Sequence, residues 1–173
     1  MSSKPSDRAP GQEWIAVLRK HGTNEFATAF VAQPVLYASV LNAPCIGIER
    51  IAAFFAGTSS MYDTIRFTHE TTDSSKTCLE WEGKVFGEDV AGTTILTRDD
   101  AGLIESVQLY HRPLHIIVRF SAELRRRLQG KLDAALFDID DQLSRRPEWK
   151  PLRENTLMSN DTHETARTQF AQV

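Results

Sequence analysis

A histidine at the end of an alternating segment is the first residue of this chain that could do chemistry. The segment IESVQLYHRP spans Ile104 to Pro113, and polar and apolar residues alternate along it up to His111. Such alternation is typical of a strand with one buried face, which would place Val107, Leu109 and His111 on the inward side. Because imidazole titrates near neutral pH, His111 is the candidate acid–base group. The alternative is a histidine that bonds only backbone or water at a pocket mouth.

Several other side chains could line a pocket beside His111. Trp81 lies in the alternating segment KTCLEWEGKVF, and its indole offers a flat surface for stacking a planar ligand. Tyr37 could donate its phenolic O–H to a ligand carbonyl. Core filling is the alternative for Trp81, and a hydroxyl at the protein surface is the alternative for Tyr37. The predicted ligand-binding residues are Tyr37, Phe55, Leu79, Trp81, Thr94, Val107 and Leu109.

Two further ionisable groups are possible partners or rivals of His111. His69 follows Phe67 on one face of a strand, and two histidines in one cavity could act together. The alternative is an exposed histidine at the strand end. Glu105 shares the predicted inward face of His111, and if it reached a cavity, desolvation would raise its pKa and make it a second base. Solvent exposure near the strand start is the alternative.

The elements that would position these residues change type along the chain. Helical spacing at Trp14, Ile15 and Leu18 predicts a first helix, Thr23 or Asn24 can cap a second, and 48–56 forms a third. Alternating segments then predict strands at 35–40, 62–70, 76–86, 90–98 and 103–111, mostly joined by short turns. Pro113 suits the first turn of a last helix that ends near Gly130. Helices followed by an antiparallel meander predict an α+β fold.

Composition favours a single domain with no nucleic-acid or membrane partner. The 173 residues are enough for one core, and the net charge of −3 gives no overall attraction to anionic surfaces. Four arginines lie between 119 and 127, but Glu123 among them suits a solvated helix face. We expect a disordered arm at 1–10, a folded domain at 11–140 and a polar tail at 141–173.

The cysteines predict neither a disulfide framework nor a metal site. Cys45 and Cys78 are far apart and have no metal-ligand spacing, so we interpret them as buried free thiols in a reducing compartment. The first residues lack the apolar stretch of a signal peptide, and no apolar run reaches the ~18 residues of a membrane span. We therefore expect a cytoplasmic protein without metal or other cofactor.

Three stretches carry a resemblance to a known family. QPVLYASVLNAPCIGIERIAAFF, LEWEGKVFGEDVAGTTILTRDDAGLIESVQL and the RPL that follows the last strand, taken in this order, resemble the SnoaL-like polyketide cyclase group of the nuclear-transport-factor-2-like superfamily. The resemblance covers about 12–128. It implies a cone-shaped domain whose N-terminal helices pack into a curved antiparallel sheet, an apolar cavity for a small apolar ligand, and a homodimer formed through the outer sheet face.

The resemblance leaves the activity open. Family activities include steroid isomerisation, aldol cyclisation, epoxide opening and dehydration, while other members only bind or assemble. Where isomerase-like members carry their carboxylates this sequence has Ala38 and, near the second position, Thr94; where cyclase-like members have an aspartate it has Gln108-Leu109. One hypothesis is therefore a small-molecule-binding domain. The alternative is a lyase or isomerase (a cyclase, dehydratase or ketosteroid-isomerase-like enzyme) on an apolar cyclic or polyketide-like substrate. There His111 would be the acid–base and Tyr37 or Thr94 would polarise a carbonyl. A scaffold whose side chains fill the cavity is the third possibility.

Overall fold

The structure, a computed structural model, describes residues 8–137, which fold as helices packed on a six-stranded sheet. The helices are α1 (Gln12–Leu18), α2 (Asn24–Ala27), α3 (Ile48–Ser59) and α4 (Leu114–Arg127), followed by a 3-10 turn at Ala134–Leu136. The strands are β1 (Phe30–Ala38), β2 (Cys45–Ile46), β3 (Tyr62–Asp73), β4 (Lys76–Val85), β5 (Glu88–Arg98) and β6 (Ile104–Arg112). The predicted tail, and all but the last three residues of the predicted arm, lie outside the described residues.

The sheet has the order β2-β1-β6-β5-β4-β3. β3 to β6 form the predicted antiparallel meander, in which β4 pairs with β5 over its whole length. β1 runs parallel to β6, so the sheet is mixed rather than wholly antiparallel. A parallel neighbour requires a long connection, and here α3 and four strands lie between the two. The predicted α+β class, with helices packed on a curved sheet, is confirmed.

The inner face of the sheet follows the predicted alternation. Leu79 and Trp81 of β4 are buried, as are Val107 and Leu109 of β6, while the residues between them face outward. The helices cover this face with aromatic side chains: Trp14, Phe26, Phe54 and Phe55 belong to the same buried cluster. Edge-to-face contacts join Phe55 to both Trp14 and Phe54, at ring-centroid distances of 5.4 Å. The core therefore lies between helices and sheet.

Three elements differ from the sequence prediction. β1 starts at Phe30, well before the predicted strand, and α3 continues to Ser59. α4 ends at Arg127 rather than near Gly130. Its buried stripe is formed by Ile116, Phe120 and Leu124, while Leu114, the first residue after the Pro113 cap, is 73% exposed.

Two classes of site are not found between residues 8 and 137. No helix there is long and apolar enough to cross a membrane. No three His, Cys, Asp or Glu side chains of that range come together as a metal site.

Candidate functional site

A cavity of about 420 Å³ lies between the helices and the inner face of the sheet. Its wall is mostly apolar and includes Trp14, Ile15 and Leu18 of α1 and Phe54, Phe55 and Thr58 of α3. The sheet contributes Tyr62 and Phe67 of β3, together with Trp81, Thr94, Leu109 and His111. The volume falls within the roughly 300–1,000 Å³ typical of small-molecule sites.

His111 and Tyr62 form a hydrogen-bonded pair in this wall. Tyr62 Oη lies 2.7 Å from His111 Nε2, and the two rings stack at an interplanar angle of 21°. The other imidazole nitrogen, Nδ1, is 3.1 Å from Ser39 Oγ, which also accepts the His111 backbone N–H at 3.0 Å. Both imidazole nitrogens therefore have a partner whose hydroxyl can donate or accept.

Burial keeps both members of this pair neutral. Desolvation lowers the pKa of His111 from 6.5 to about 4, because the imidazolium would lose its hydration. The same cause raises the pKa of the Tyr62 phenol above its ordinary value. At neutral pH the imidazole of His111 and the phenol of Tyr62 are therefore both uncharged. Each can donate or accept a hydrogen bond in the cavity wall while remaining neutral.

Aromatic packing fixes the position of the His111 ring. Trp81 contacts it edge-on at a centroid distance of 5.1 Å, and Phe120 of α4 lies 5.6 Å away. Gly92 of β5 pairs with His111 of β6, and because Gly92 has no side chain there is room for the Trp81 indole. A Cβ at Gly92 would come within 2.3 Å of Trp81 Cζ2 and 2.1 Å of the Tyr110 carbonyl oxygen. The absent side chain is therefore what allows Trp81 to reach the imidazole.

The remaining polar groups of the wall differ in exposure. Thr94 is 2% exposed and lines the cavity, where its hydroxyl can meet a ligand. Arg19 and Asp63 also line the cavity but are exposed, and Asp63 accepts the Gly87 backbone N–H. Polar groups thus lie both deep in the cavity and on its solvent-facing wall.

The structure brings most of the predicted site residues together. Phe55, Trp81, Thr94, Leu109 and His111 all line the cavity. Leu79 and Val107 are 1% and 0% exposed and pack in the core without reaching the cavity wall. Whether any of these residues binds a ligand stays a prediction.

Tyr37 lies on the wrong side of the sheet for its predicted role. It is 47% exposed and borders a shallow depression on the outer face, together with Glu105 and Tyr110. Leu36 and Ala38 occupy the inward positions of β1, so strand alternation forces Tyr37 outward. Glu105 is exposed on that same outer side, and His69 is exposed and contacts Thr71, so neither joins His111.

Sequence reasoning missed the two partners of His111. Tyr62 is the first residue of β3, and register irregularities follow it at Thr64 and at His69, so alternation along the strand does not reveal its direction. Its pairing with the fully buried Val85 is the signal that would place it inward, but this pairing requires the hairpin register. Ser39 lies just beyond the end of β1, where no periodicity applies.

Solved structures share this fold at low sequence identity. A bacterial protein with a cystatin-like fold from Silicibacter pomeroyi matches with a TM-score of 0.62 and 17% identity, over 70% of this chain and 84% of the other. A steroid delta-isomerase from Pseudomonas aeruginosa matches with a TM-score of 0.61 and 17% identity, over 68% and 88%. A de novo designed protein with a curved β-sheet reaches 0.52 at 14% identity, over 68% and 92%.

These likenesses define the fold. No protein-family model matches the chain, and no curated protein is significantly similar to it. The described domain shares the α+β fold of these solved structures, in which helices pack on a curved sheet, as the sequence predicted.

Proposed function

We propose that this domain, a SnoaL-like one, binds a small, largely apolar molecule that carries one oxygen function, and that the molecule occupies the cavity beside Tyr62 and His111. The observation that carries the proposal is a hydrogen-bonded phenol–imidazole pair set into the mostly apolar wall of a cavity of about 420 Å³. Such a wall provides affinity through burial of apolar surface, while a few polar groups orient the ligand.

The shape of the wall favours a flat ligand. Trp81 and Tyr62 meet edge to face at a centroid distance of 5.9 Å, and both rings border the cavity. Aromatic faces and edges stack well on planar rings. The hydroxyls of Tyr62 and Thr94 would then recognise the oxygen of the ligand.

The binding proposal is tested with a matched pair of probes. 2-Naphthol and naphthalene share one planar body and differ by a single hydroxyl. We expect 2-naphthol to bind about five- to tenfold more tightly, the effect of one hydrogen bond, as measured by quenching of tryptophan fluorescence. Tyr62→Phe should abolish this preference and leave naphthalene binding unchanged.

Tyr37→Phe is the matched control, because it removes the same hydroxyl from the outer face of the sheet. It should keep the preference of the unmodified protein for 2-naphthol. If neither probe binds, or if Tyr62→Phe and Tyr37→Phe behave alike, the cavity is not the binding site.

A second candidate function is an isomerase or lyase that uses His111 as acid–base. The observation that favours it is the neutral imidazole, whose pKa of about 4 leaves it unprotonated at neutral pH and in contact with a phenolic donor. His111 could remove a proton beside a carbonyl while Tyr62 or Thr94 binds the carbonyl oxygen. The positions of the family's usual carboxylates hold Ala38 and Thr94, so the imidazole would have to act alone as base.

The enzymatic candidate is tested with a β,γ-unsaturated steroid ketone, 5-androstene-3,17-dione, because one protein of this fold is named a steroid delta-isomerase. Conjugation of the product is followed by ultraviolet absorbance. Turnover should be lost in His111→Gln and should fall only below about pH 4 in the unmodified protein, where the imidazole becomes protonated. A rate equal to that of buffer for the unmodified protein rejects this substrate class.

We further propose a cytoplasmic homodimer formed through the outer face of the sheet. Tyr37 and Tyr110 are 47% and 51% exposed there, which provides apolar area for a partner, and Cys45 and Cys78 are unpaired thiols. Sedimentation velocity of the unmodified protein and of Tyr110→Lys tests the dimer. A monomer in both cases contradicts it.

A further inference from the structure

A continuous line of hydrogen bonds runs from the cavity to solvent through His111. Tyr62 lines the cavity, His111 lies in the middle, and Ser39 at the end of β1 is exposed and does not line the cavity. The contacts are 2.7 Å from Tyr62 Oη to Nε2 and 3.1 Å from Nδ1 to Ser39 Oγ. Because Ser39 is exposed, the Ser39 end of the line is in contact with solvent.

The hydrogens of this line can be arranged in two ways. Ser39 Oγ already accepts the His111 backbone N–H at 3.0 Å, which leaves it one lone pair and one O–H for Nδ1. In the first arrangement Tyr62 donates to Nε2, and Nδ1–H donates to Ser39. In the second, Ser39 donates to Nδ1, and Nε2–H donates to Tyr62 Oη. Only the second leaves the Tyr62 hydrogen free to point into the cavity.

The first arrangement is the more stable one without a ligand. A phenol is a better donor than an aliphatic hydroxyl, and an imidazole nitrogen is a better acceptor than a phenol oxygen. The strongest available bond is therefore the one from Tyr62 O–H to Nε2. An acceptor in the cavity, such as a ketone oxygen, changes the balance because it offers the Tyr62 hydrogen a second partner.

We propose that the Ser39–His111–Tyr62 line is a hydrogen-bond switch, in which a ligand carbonyl moves the imidazole proton from Nδ1 to Nε2. The ligand part of this inference rests on the proposed binding function. The exchange is balanced: Nδ1 releases a proton to water, Nε2 takes one from water, and the net charge of the site does not change. Ser39 acts as a positioning residue, because its hydroxyl accepts in one arrangement and donates in the other.

The switch defines the ligand class more closely. In the first arrangement Tyr62 Oη accepts a hydrogen bond from a ligand hydroxyl; in the second it donates one to a ligand carbonyl. The cavity would thus bind either an alcohol or phenol or the corresponding ketone, and Tyr62 and His111 would serve both ligands.

The ligand-free test is nitrogen NMR of the imidazole, with His111 assigned through His111→Gln. The unmodified protein should show the Nδ1–H tautomer. Tyr62→Phe removes the donor to Nε2, so it should shift His111 to the Nε2–H tautomer. The same tautomer in both proteins overturns the switch, whether or not any probe binds.

The ligand arm uses 2-acetonaphthone, a planar ketone without a donor, with naphthalene as reference. Saturation with the ketone should produce the Nε2–H tautomer. Ser39→Ala should weaken ketone binding about fivefold and leave naphthalene unchanged, and Ser39→Thr, which keeps the hydroxyl, should restore it. Unchanged ketone affinity in Ser39→Ala overturns the role of Ser39. If the tautomer shifts in Tyr62→Phe but neither probe binds, the proposed function is rejected. The two alternative hydrogen arrangements of the Ser39–His111–Tyr62 line are then still supported.

Discussion

Lowering the pH should destabilise this fold through His111 in particular. The imidazole is packed between Trp81, Tyr62 and Phe120, and its desolvation lowers its pKa from 6.5 to about 4. In the unfolded chain the same histidine is hydrated and titrates near its ordinary value. Between these two pKa values the unfolded state binds a proton that the native state does not.

The sign and size of the effect follow from this difference. Because the native pKa of His111 is lower than its unfolded pKa, the contribution of His111 to stability is fully present above the unfolded pKa. This contribution is lost as the pH falls toward the native pKa. Each pKa unit corresponds to about 1.4 kcal/mol, so the unfolding free energy should fall by about 2–3 kcal/mol between about pH 7.5 and about pH 4.5 on account of His111 alone. Below about pH 3 the contribution becomes constant, because both states are then protonated.

Urea denaturation of the unmodified protein and of His111→Gln measures this contribution. All other groups titrate in both proteins, so the difference between their pH dependences isolates His111. His111→Gln should be the less stable protein at about pH 7.5, since it loses the ring packing, and should then lose about 2–3 kcal/mol less on acidification.

Tyr62→Phe is the control that identifies the cause. It keeps the imidazole buried and removes only the phenolic oxygen, so most of the pH dependence should remain. If His111→Gln and the unmodified protein lose equal stability on acidification, the imidazole is hydrated in the native state and the reasoning from burial is wrong. If the dependence disappears in Tyr62→Phe, the hydrogen bond and not desolvation sets the pKa.

Two further predictions follow from local packing. Gly92→Ala should cost at least about 2 kcal/mol of unfolding free energy, because its Cβ would collide with Trp81 and with the backbone. The control is Gly22→Ala, whose Cβ would have no atom within 4 Å and which should cost less than about 0.5 kcal/mol. Equal thermal unfolding midpoints of the two variants would contradict the packing of Trp81. Cys45 is fully buried and its pKa is raised by desolvation, so an aromatic disulfide reagent should react first with the partly exposed Cys78, and Cys78→Ser should remove the fast phase of the absorbance change.

The sequence predicted the elements of this fold better than their connections. Alternation and turn residues placed β3 to β6 within a few residues, because short connections join these strands and β4, β5 and β6 each have one buried face. The parallel pairing of β1 with β6 joins residues about 70 positions apart, as in Leu36 with Val107, and no local pattern encodes it. Yet this pairing brings Ser39 to His111.

The same distinction applies to the candidate site. His111 and Trp81 were predicted because they lie inward on regular strands, where parity alone decides the face, whereas Thr94 was predicted from the family resemblance. Tyr62 was missed since its direction depends on a pairing interrupted at Thr64. The phenol predicted for this role was Tyr37. Because its neighbours Leu36 and Ala38 face inward, Tyr37 faces outward and lies away from the cavity. Strand alternation therefore located the cavity side of the sheet, but not the phenol that lies beside the imidazole.

The end of β6 at Arg112 explains why the imidazole lies where it does. Arg112 is the last residue of β6 to pair with β5, opposite Ala91, and Pro113 has no N–H to continue the ladder. Pro113 instead caps α4, which returns over the sheet and packs Phe120 against both His111 and Tyr62, at centroid distances of 5.6 and 5.5 Å. Arg112, the residue after His111 and the last of β6, already faces outward. The strand therefore ends immediately after the last inward position, and the helix that follows supplies the apolar contact that desolvates the histidine.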